Sequence, residues 1–163
     1  MNPSLRFADR PGPVAVGADH AGFRLKNELV EQLRALGHEV VDHGSLDGAR
    51  CDYPDLAHAV ASAVASGAAA WGLLVCGTGV GMAMAANRVP GVRAAVVSDT
   101  FSARATRLHN DANVLCLGER VVGGGLAAEL LLAFLDGRFE GGRHQQRLDK
   151  LQGLEAHGAG PLR

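Results

Sequence analysis

The sequence predicts an α/β domain built on five parallel strands, and three observations carry that prediction. Short apolar runs alternate with amphipathic stretches along the whole chain, as successive βα units do. The apolar runs lack clean in–out alternation, which marks strands covered on both faces. Glycine is the compositional outlier, 22 of 163 residues against a usual ~7%, and that suits a chain with many tight βα turns.

Taken in order, "PVAVG" (13–17) reads as the first strand. "FRLKNELVEQLRALG" then puts Leu25, Leu29, Leu33 and Leu36 on one helical face, with Gly37 as its stop. "HEVVDHG" is the second strand, and "CDYPD" a turn into an alanine-rich helix over 55–66. "WGLLVCG" is the third strand, and "GMAMAANR" opens its helix. "GVRAAVVSD" is the fourth strand, with "FSARATRLHND" the short helix behind it, and "ANVLCLGE" is the fifth. "GLAAELLLAFLDG" makes a helix apolar almost all round, with Glu129 its only charge before Asp136. Such a helix needs cover on more than one side, from its own domain or from a subunit interface. The polar stretch "FEGGRHQQRLDKLQGLE" forms a last helix reaching outward. The chain divides into an extension (1–12), one domain (13–155) and a frayed tail (156–163).

The whole-chain properties narrow the function. A formal net charge of -1 gives no reason to expect nucleic acid or an anionic membrane as partner. Cys51, Cys76 and Cys116 are odd in number and far apart, which argues for a reducing compartment rather than a disulfide framework. "MNPSLRFADRPGP" has no apolar secretory segment. The longest apolar runs are too short to span a bilayer. The expectation is a soluble cytoplasmic protein.

Chemistry gathers at "LLVCGTGVGMAMAANR", residues 73–88. The loop Gly77, Thr78, Gly79, Val80 and Gly81 follows a strand and opens a helix, where a doubly wound sheet holds its ligand. Its N–H groups favour an anion. A dinucleotide-binding fold competes, since Asp99 ends the next strand about 20 residues on. Met82 in place of a sixth-position glycine, and a chain too short for a second nucleotide half, weigh against it. Cys76, at the entrance to the loop, is either a small buried hydrophobe or a thiol facing the ligand. A helix N-terminus favours a thiolate, which could attack as a nucleophile or remove a proton, with the Thr78 hydroxyl helping. Cys116, inside the fifth strand, reads as core.

"ADH" brings Asp19 and His20 to the end of the first strand, and "HND" (His109, Asn110, Asp111) closes the helix after the fourth. Placed at one sheet edge with the Cys-Gly loop, the two clusters point to an active site. Arg143 and Arg147, four apart, share a helix face. They are either a solvated surface or, with Arg120, a phosphate clamp in their own pocket or a neighbour's. Neither Asp52, Asp55 and His58 nor His38 and His43 resembles a compact ligand motif, so no metal is predicted.

Six ordered motifs, "GADHAGFRLK", "DYPD", "CGTGVG", "AANRVPGVRAA", "HNDANVL" and "EGGRHQQR", resemble the type B ribose-5-phosphate isomerases. The wider group includes galactose-6-phosphate and allose-6-phosphate isomerases. The likeness runs from about Val14 to Leu151 and leaves the first dozen residues extra, with no role assigned. It implies a Rossmann-like three-layer sandwich and a homo-oligomer, dimer or tetramer of dimers. It also implies a sugar-phosphate site at the subunit interface, with the C-terminal helix reaching to a neighbouring subunit. By the same resemblance Cys76 is the general base between C1 and C2, and residues 77–81 hold the enediolate oxygens. His109 opens the sugar ring, and Asp19, His20 and Asn110 contact the sugar. Arg120, Arg143 and Arg147 hold the phosphate, and Asp19 or Thr78 carries the proton between O1 and O2. No cofactor or metal is implied.

Some family members replace this cysteine with a carboxylate a few residues on, but here Met82 to Ala86 offer no acid. The galactose-6-phosphate enzymes divide these residues between two different chains, whereas this sequence keeps them together. The expected function is therefore a metal-independent aldose–ketose isomerase of ribose 5-phosphate and ribulose 5-phosphate. A tetrose or hexose phosphate isomerase is the alternative, followed by a non-catalytic sugar-phosphate or nucleotide-binding module. The loop 45–54 either lines the pocket through Tyr53 or turns that ring into the core.

Overall fold

A computed structural model describes residues 7–157. Its strands are β1 (Val14–Ala18), β2 (Val40–Asp42), β3 (Trp71–Cys76), β4 (Ala94–Val96) and β5 (Val114–Gly118). They form one sheet in the order β2-β1-β3-β5-β4, and every pairing is parallel. The helices are α1 (Phe23–Ala35), α2 (Tyr53–Ala65), α3 (Val80–Ala86), α4 (Thr100–Asn110), α5 (Gly124–Asp136) and α6 (Arg143–His157). The fold is the parallel α/β arrangement that the alternating pattern predicts, and the three-layer sandwich that the resemblance implies.

Every residue of β1, β3 and β5 is buried, which explains the missing alternation. The two faces still differ in bulk. Val16, Trp71, Leu73, Val75, Leu115 and Leu117 pack with α1 and α5. Ala15, Leu74, Cys76, Val114 and Cys116 meet the alanine-rich α2 and α3. Small side chains on that second face let the two helices sit close to the sheet beside the Cys76 loop.

Several boundaries differ from the sequence reading. The helix read as 55–66 begins at Tyr53, because Pro54 needs no hydrogen bond to its missing N–H in a first turn. Leu36 is not on the buried face of α1: it is the C-cap residue and 48% exposed. The nine-residue "GVRAAVVSD" yields only three strand residues, since β4 lies at the sheet edge and pairs with β5 alone. Ala156 and His157, read as frayed, continue α6, while residues 158–163 lie outside the described residues. α5 is covered on its inner sides by α1, α4 and a 3-10 turn at Phe7–Asp9, and it leaves Leu126 and Leu132 exposed. No helix among the described residues is long and apolar enough to cross a membrane.

Parallel topology gives the molecule two chemically distinct edges. Loops 19–22, 77–79 and 119–123 follow the carboxyl ends of β1, β3 and β5. The segments before β1, β4 and β5, and the ends of α4 and α5, lie at the opposite edge.

Candidate active site

The carboxyl edge is organised around the gap between β1 and β3. From β1 the chain steps outward to β2 on one side and β3 on the other, so the crevice above this pair is the switch point where doubly wound sheets bind ligands. Cys76 ends β3 there, buried, and its Sγ accepts the Gly79 N–H at 3.1 Å. Gly79, at φ 78, is the N-cap of α3. The thiol thus points into the loop that opens the helix. Thr78 is exposed, and its hydroxyl accepts the Val80 N–H at 3.4 Å. Cys116 is fully buried one strand over, where burial pushes its thiol far up, so it stays protonated as predicted for a core residue.

The neighbouring loops close on Cys76 through backbone contacts. A Cβ at Gly22 would lie 2.5 Å from the Val75 carbonyl, and one at Gly118 would lie 2.6 Å from the carbonyl carbon of Thr78. Only glycine permits those approaches. Asp19 is buried and its Oδ1 accepts the N–H groups of Ala21 (2.9 Å) and Gly22 (3.1 Å), fixing the turn that leaves His20 exposed. Arg120 leans over the loop: a Cβ on Gly77 would sit 3.6 Å from its guanidinium carbon. Tyr53 is 40% exposed with its ring against Gly81, so it is not turned into the core.

The expectation that "HND" shares this edge is corrected. α4 starts at the carboxyl edge and runs back along the sheet for 11 residues, roughly 16 Å at ~1.5 Å per residue. His109 and Asn110 end that run, so they stand at the opposite edge from Cys76. Arg143 and Arg147 stand there too. α5 also runs back, and the Glu140 N–H donates to the Leu108 carbonyl, seating the start of α6 beside the end of α4. One chain therefore brings together Asp19, His20, Cys76, the 77–81 loop and Arg120. It separately gathers His109, Asn110, Arg143 and Arg147.

Sequence reasoning missed two members of the second group. His144 stacks on His109 with ring centroids 4.4 Å apart and planes 7° from parallel. Glu140 reaches both rings, its Oε2 lying 3.5 Å from His144 Nε2 and 3.9 Å from His109 Nε2. Burial pushes the His144 imidazole down, as do His109, Arg143 and Arg147, against the opposing pull of Glu140. Spacing gives a partial signal, since Glu140 and His144 are four apart, but nothing in the sequence links them to His109. These three side chains come close enough to suggest a metal site. Parallel stacking keeps the ring nitrogens from converging on one ion, and Arg143 Nε already donates to His144 Nε2 at 3.4 Å. With two guanidinium groups alongside, the cluster suits an anion better than a cation.

Lys26 escaped the sequence reading as well. It is 1% exposed and donates to Asp42 at 2.6 Å and to the Ser45 carbonyl at 2.9 Å. Gly44 and Ser45 exchange backbone hydrogen bonds with Ala18, so this buried ammonium braces the strand end that carries Asp19.

A buried thiol at a sheet switch point, under a glycine loop and beside an aspartate and an arginine, defines an α/β enzyme acting on a small anionic ligand. The chain belongs to the ribose/galactose isomerase family, whose sequence model matches residues 14–151. It is 49% identical over 142 residues to ribose-5-phosphate isomerase B of Escherichia coli, covering 87% of this chain and 95% of that protein. It is 44% identical over 140 residues to D-erythrulose-4-phosphate isomerase of Pectobacterium atrosepticum, covering 85% and 91%. The solved structure of Clostridium thermocellum ribose-5-phosphate isomerase B superposes with a TM-score of 0.88 at 46% identity, covering 88% of this chain and 97% of that one.

Proposed function

We propose that the protein interconverts ribose 5-phosphate and ribulose 5-phosphate through an enediolate, with Cys76 as the base. The observation that carries the reading is the Cys76 Sγ at the β1/β3 switch point, 3.1 Å from the N–H of a glycine loop. As thiolate, Cys76 takes the proton from C2 of the open-chain aldose. The electron pair moves into the C1–C2 bond and negative charge develops on O1. N–H groups of residues 77–81 stabilise that oxygen, where loss of one such donor typically costs about 10²–10³ in rate. Return of the proton to C1 gives the ketose, while Asp19 or Thr78 carries the remaining proton from O2 to O1. Arg120 binds the phosphate. His109 opens the cyclic sugar by protonating the ring oxygen, the work of a general acid. No step so written calls for a metal or redox cofactor.

The site is shared between two copies of the chain. This reading is supported by the separation of the two clusters, which a single chain cannot close. Val80, Met84, Val96 and Phe101 are exposed apolar side chains, the kind that a partner covers. A second copy supplies His109, Asn110, Arg143 and Arg147 to the Cys76 crevice. A cleft of about 580 Å³ between the β4 edge and α6, with Leu148, Leu151 and Leu154 on its helical wall, offers further apolar surface for that contact.

The test is ribose 5-phosphate in D₂O with EDTA, followed by NMR. Wild type should form deuterated ribulose 5-phosphate and Cys76→Ala should not. Product from both would overturn the base assignment. The tetrose alternative rests on the 44% identity to the erythrulose-4-phosphate enzyme. Faster turnover of a tetrose phosphate would favour it. Exchange of no carbon-bound proton with tetrose, pentose or hexose phosphates would leave a binding module.

A further inference from the structure

At the edge opposite Cys76, a single carboxylate gathers three guanidinium groups. Asp111 is the C-cap of α4, held at φ 44, a left-handed backbone in which Asp and Asn are among the few tolerated side chains. Its Oδ1 accepts from Arg107 at 2.8 Å and its Oδ2 from Arg93 at 2.8 Å. Arg93 also donates through Nε to the Asp111 carbonyl at 2.9 Å, and Arg107 donates to the Ala112 carbonyl. The third guanidinium belongs to Arg10, whose Nη2 lies 3.5 Å from Asp111 Oδ1. Arg107 is almost fully buried and burial pulls it down to about 10, with Asp111 opposing the fall. It is still charged at neutral pH, so the carboxylate faces permanent cations.

Arg10 lies outside residues 14–151, the part matched by the family. The described part of the extension is nevertheless docked: the turn at Phe7–Asp9 packs on α5, and Ala8 joins the core that α1 and α5 share. That docking delivers the 11%-exposed Arg10 side chain to Asp111. His109 and Asn110 are the two residues immediately before Asp111 on the same helix end.

We propose that Asp111, clamped by Arg93, Arg107 and the extension's Arg10, is the positioning residue that aims His109 and Asn110 at the sugar ring. The inference rests on the ring-opening role given to His109 above. The clamp acts first on ring opening, because the proton transfer at C1 and C2 is given to the thiol and glycine loop, which lie at the other edge of the sheet. Arg10 makes the N-terminal segment a strap that reinforces the clamp in this chain.

Two rates, measured on one preparation, separate these steps. Conversion of ribose 5-phosphate requires ring opening. Exchange of the C1 proton of saturating ribulose 5-phosphate in D₂O requires only enolisation, because its C5 hydroxyl carries the phosphate and no furanose can close. Asp111→Asn keeps the backbone conformation and removes the charge; conversion should fall about tenfold relative to exchange, as for misaimed catalytic groups. Arg10→Gln should lower the same ratio about two- to threefold, the weight of one partly exposed ion pair, and Arg10→Lys should restore part of it. His109→Asn is the control for the underlying reading. If His109→Asn splits the two rates and Asp111→Asn lowers both alike, Asp111 is merely structural and the proposal is overturned. If His109→Asn itself leaves the ratio unchanged, the ring-opening role fails and the clamp loses its purpose with it.

Discussion

The two edges of the sheet are built from different materials. Around Cys76 the site is made of backbone: Gly22 against Val75, Gly118 against Thr78, and a Gly79 N–H on the sulfur. Around His109 it is made of side chains, with Asp111 among three arginines and a histidine pair bridged by Glu140. Backbone can be placed closely and rigidly, which suits holding an oxyanion through proton transfer. Side chains on helix ends carry formal charge and can be presented to a neighbour, which suits gripping a phosphate and opening a ring. The proposed shared site would put one kind of edge against the other.

The sharpest way to break that contrast is to remove the proposed base at the backbone edge. Cys76→Ala should lower turnover by at least about 10³, as expected when a general base is lost together with its alignment. Unchanged thermal unfolding would show that the loss is chemical. Activity within tenfold of wild type would remove Cys76 from the mechanism. The next test joins the edges. Cys76→Ala and Arg143→Ala chains, each inactive, should recover about a quarter of wild-type activity when mixed one to one, since half the dimers then carry one intact site. Mixed dimers without recovered activity would place both edges' function within one chain.

This difference in materials also decides what the sequence revealed. Close backbone approaches leave glycine, so "CGTGVG" and the turn after "GADH" are visible as motifs in one dimension. The strands were legible for a related reason, because burial on both faces forces long apolar runs in β1, β3 and β5. The side-chain edge was legible only in part. "HND" and the two arginines stood out as polar clusters, yet their side of the sheet did not follow from composition. It follows from topology, since α4 must run back from the end of β4 before β5 can begin. Arg10 and Asp111 are 101 residues apart, and no local periodicity connects them. Lys26 sits beside Leu25 and Leu29 in an amphipathic helix, where a lysine reads as solvated until Asp42 and Ser45 are seen to enclose it.

A smaller perturbation asks how much the backbone edge depends on its glycines. Gly118→Ala places a Cβ 2.6 Å from the Thr78 carbonyl carbon, so β5 or the 77–81 loop must shift. The expected destabilisation is about 1–3 kcal/mol, the usual cost of overpacking, measured by urea unfolding. Turnover should fall further than that loss of folded protein accounts for, because the displaced residue belongs to the loop proposed to hold the oxyanion. A variant that is destabilised yet fully active per folded molecule would show that the loop tolerates movement, and the contrast between rigid backbone and adaptable side chains would weaken.

The smallest effect is a matter of pH, and it belongs to the side-chain edge. Burial against His109 holds the His144 imidazole below the ordinary histidine value, with Arg143 and Arg147 adding positive charge and Glu140 opposing them. The unfolded chain takes up a proton near ~6.5, while the folded chain refuses it until the pH is lower. The unfolded state thus binds more protons in that interval, and stability must decline as the pH falls through it while remaining intact above it. Asp99, whose carboxylate is held down by the Ser102 N–H at the start of α4, contributes with the same sign only in the acidic carboxylate range. His38, also lowered by burial, does overlap with His144 and needs its own control. Melting temperature should therefore drop between pH 7.5 and pH 5.5. The drop should shrink in His144→Gln and shrink separately in His38→Gln. An identical drop in wild type and His144→Gln would mean that the stacked pair accepts its proton freely. The side-chain edge would then be looser than its packing indicates.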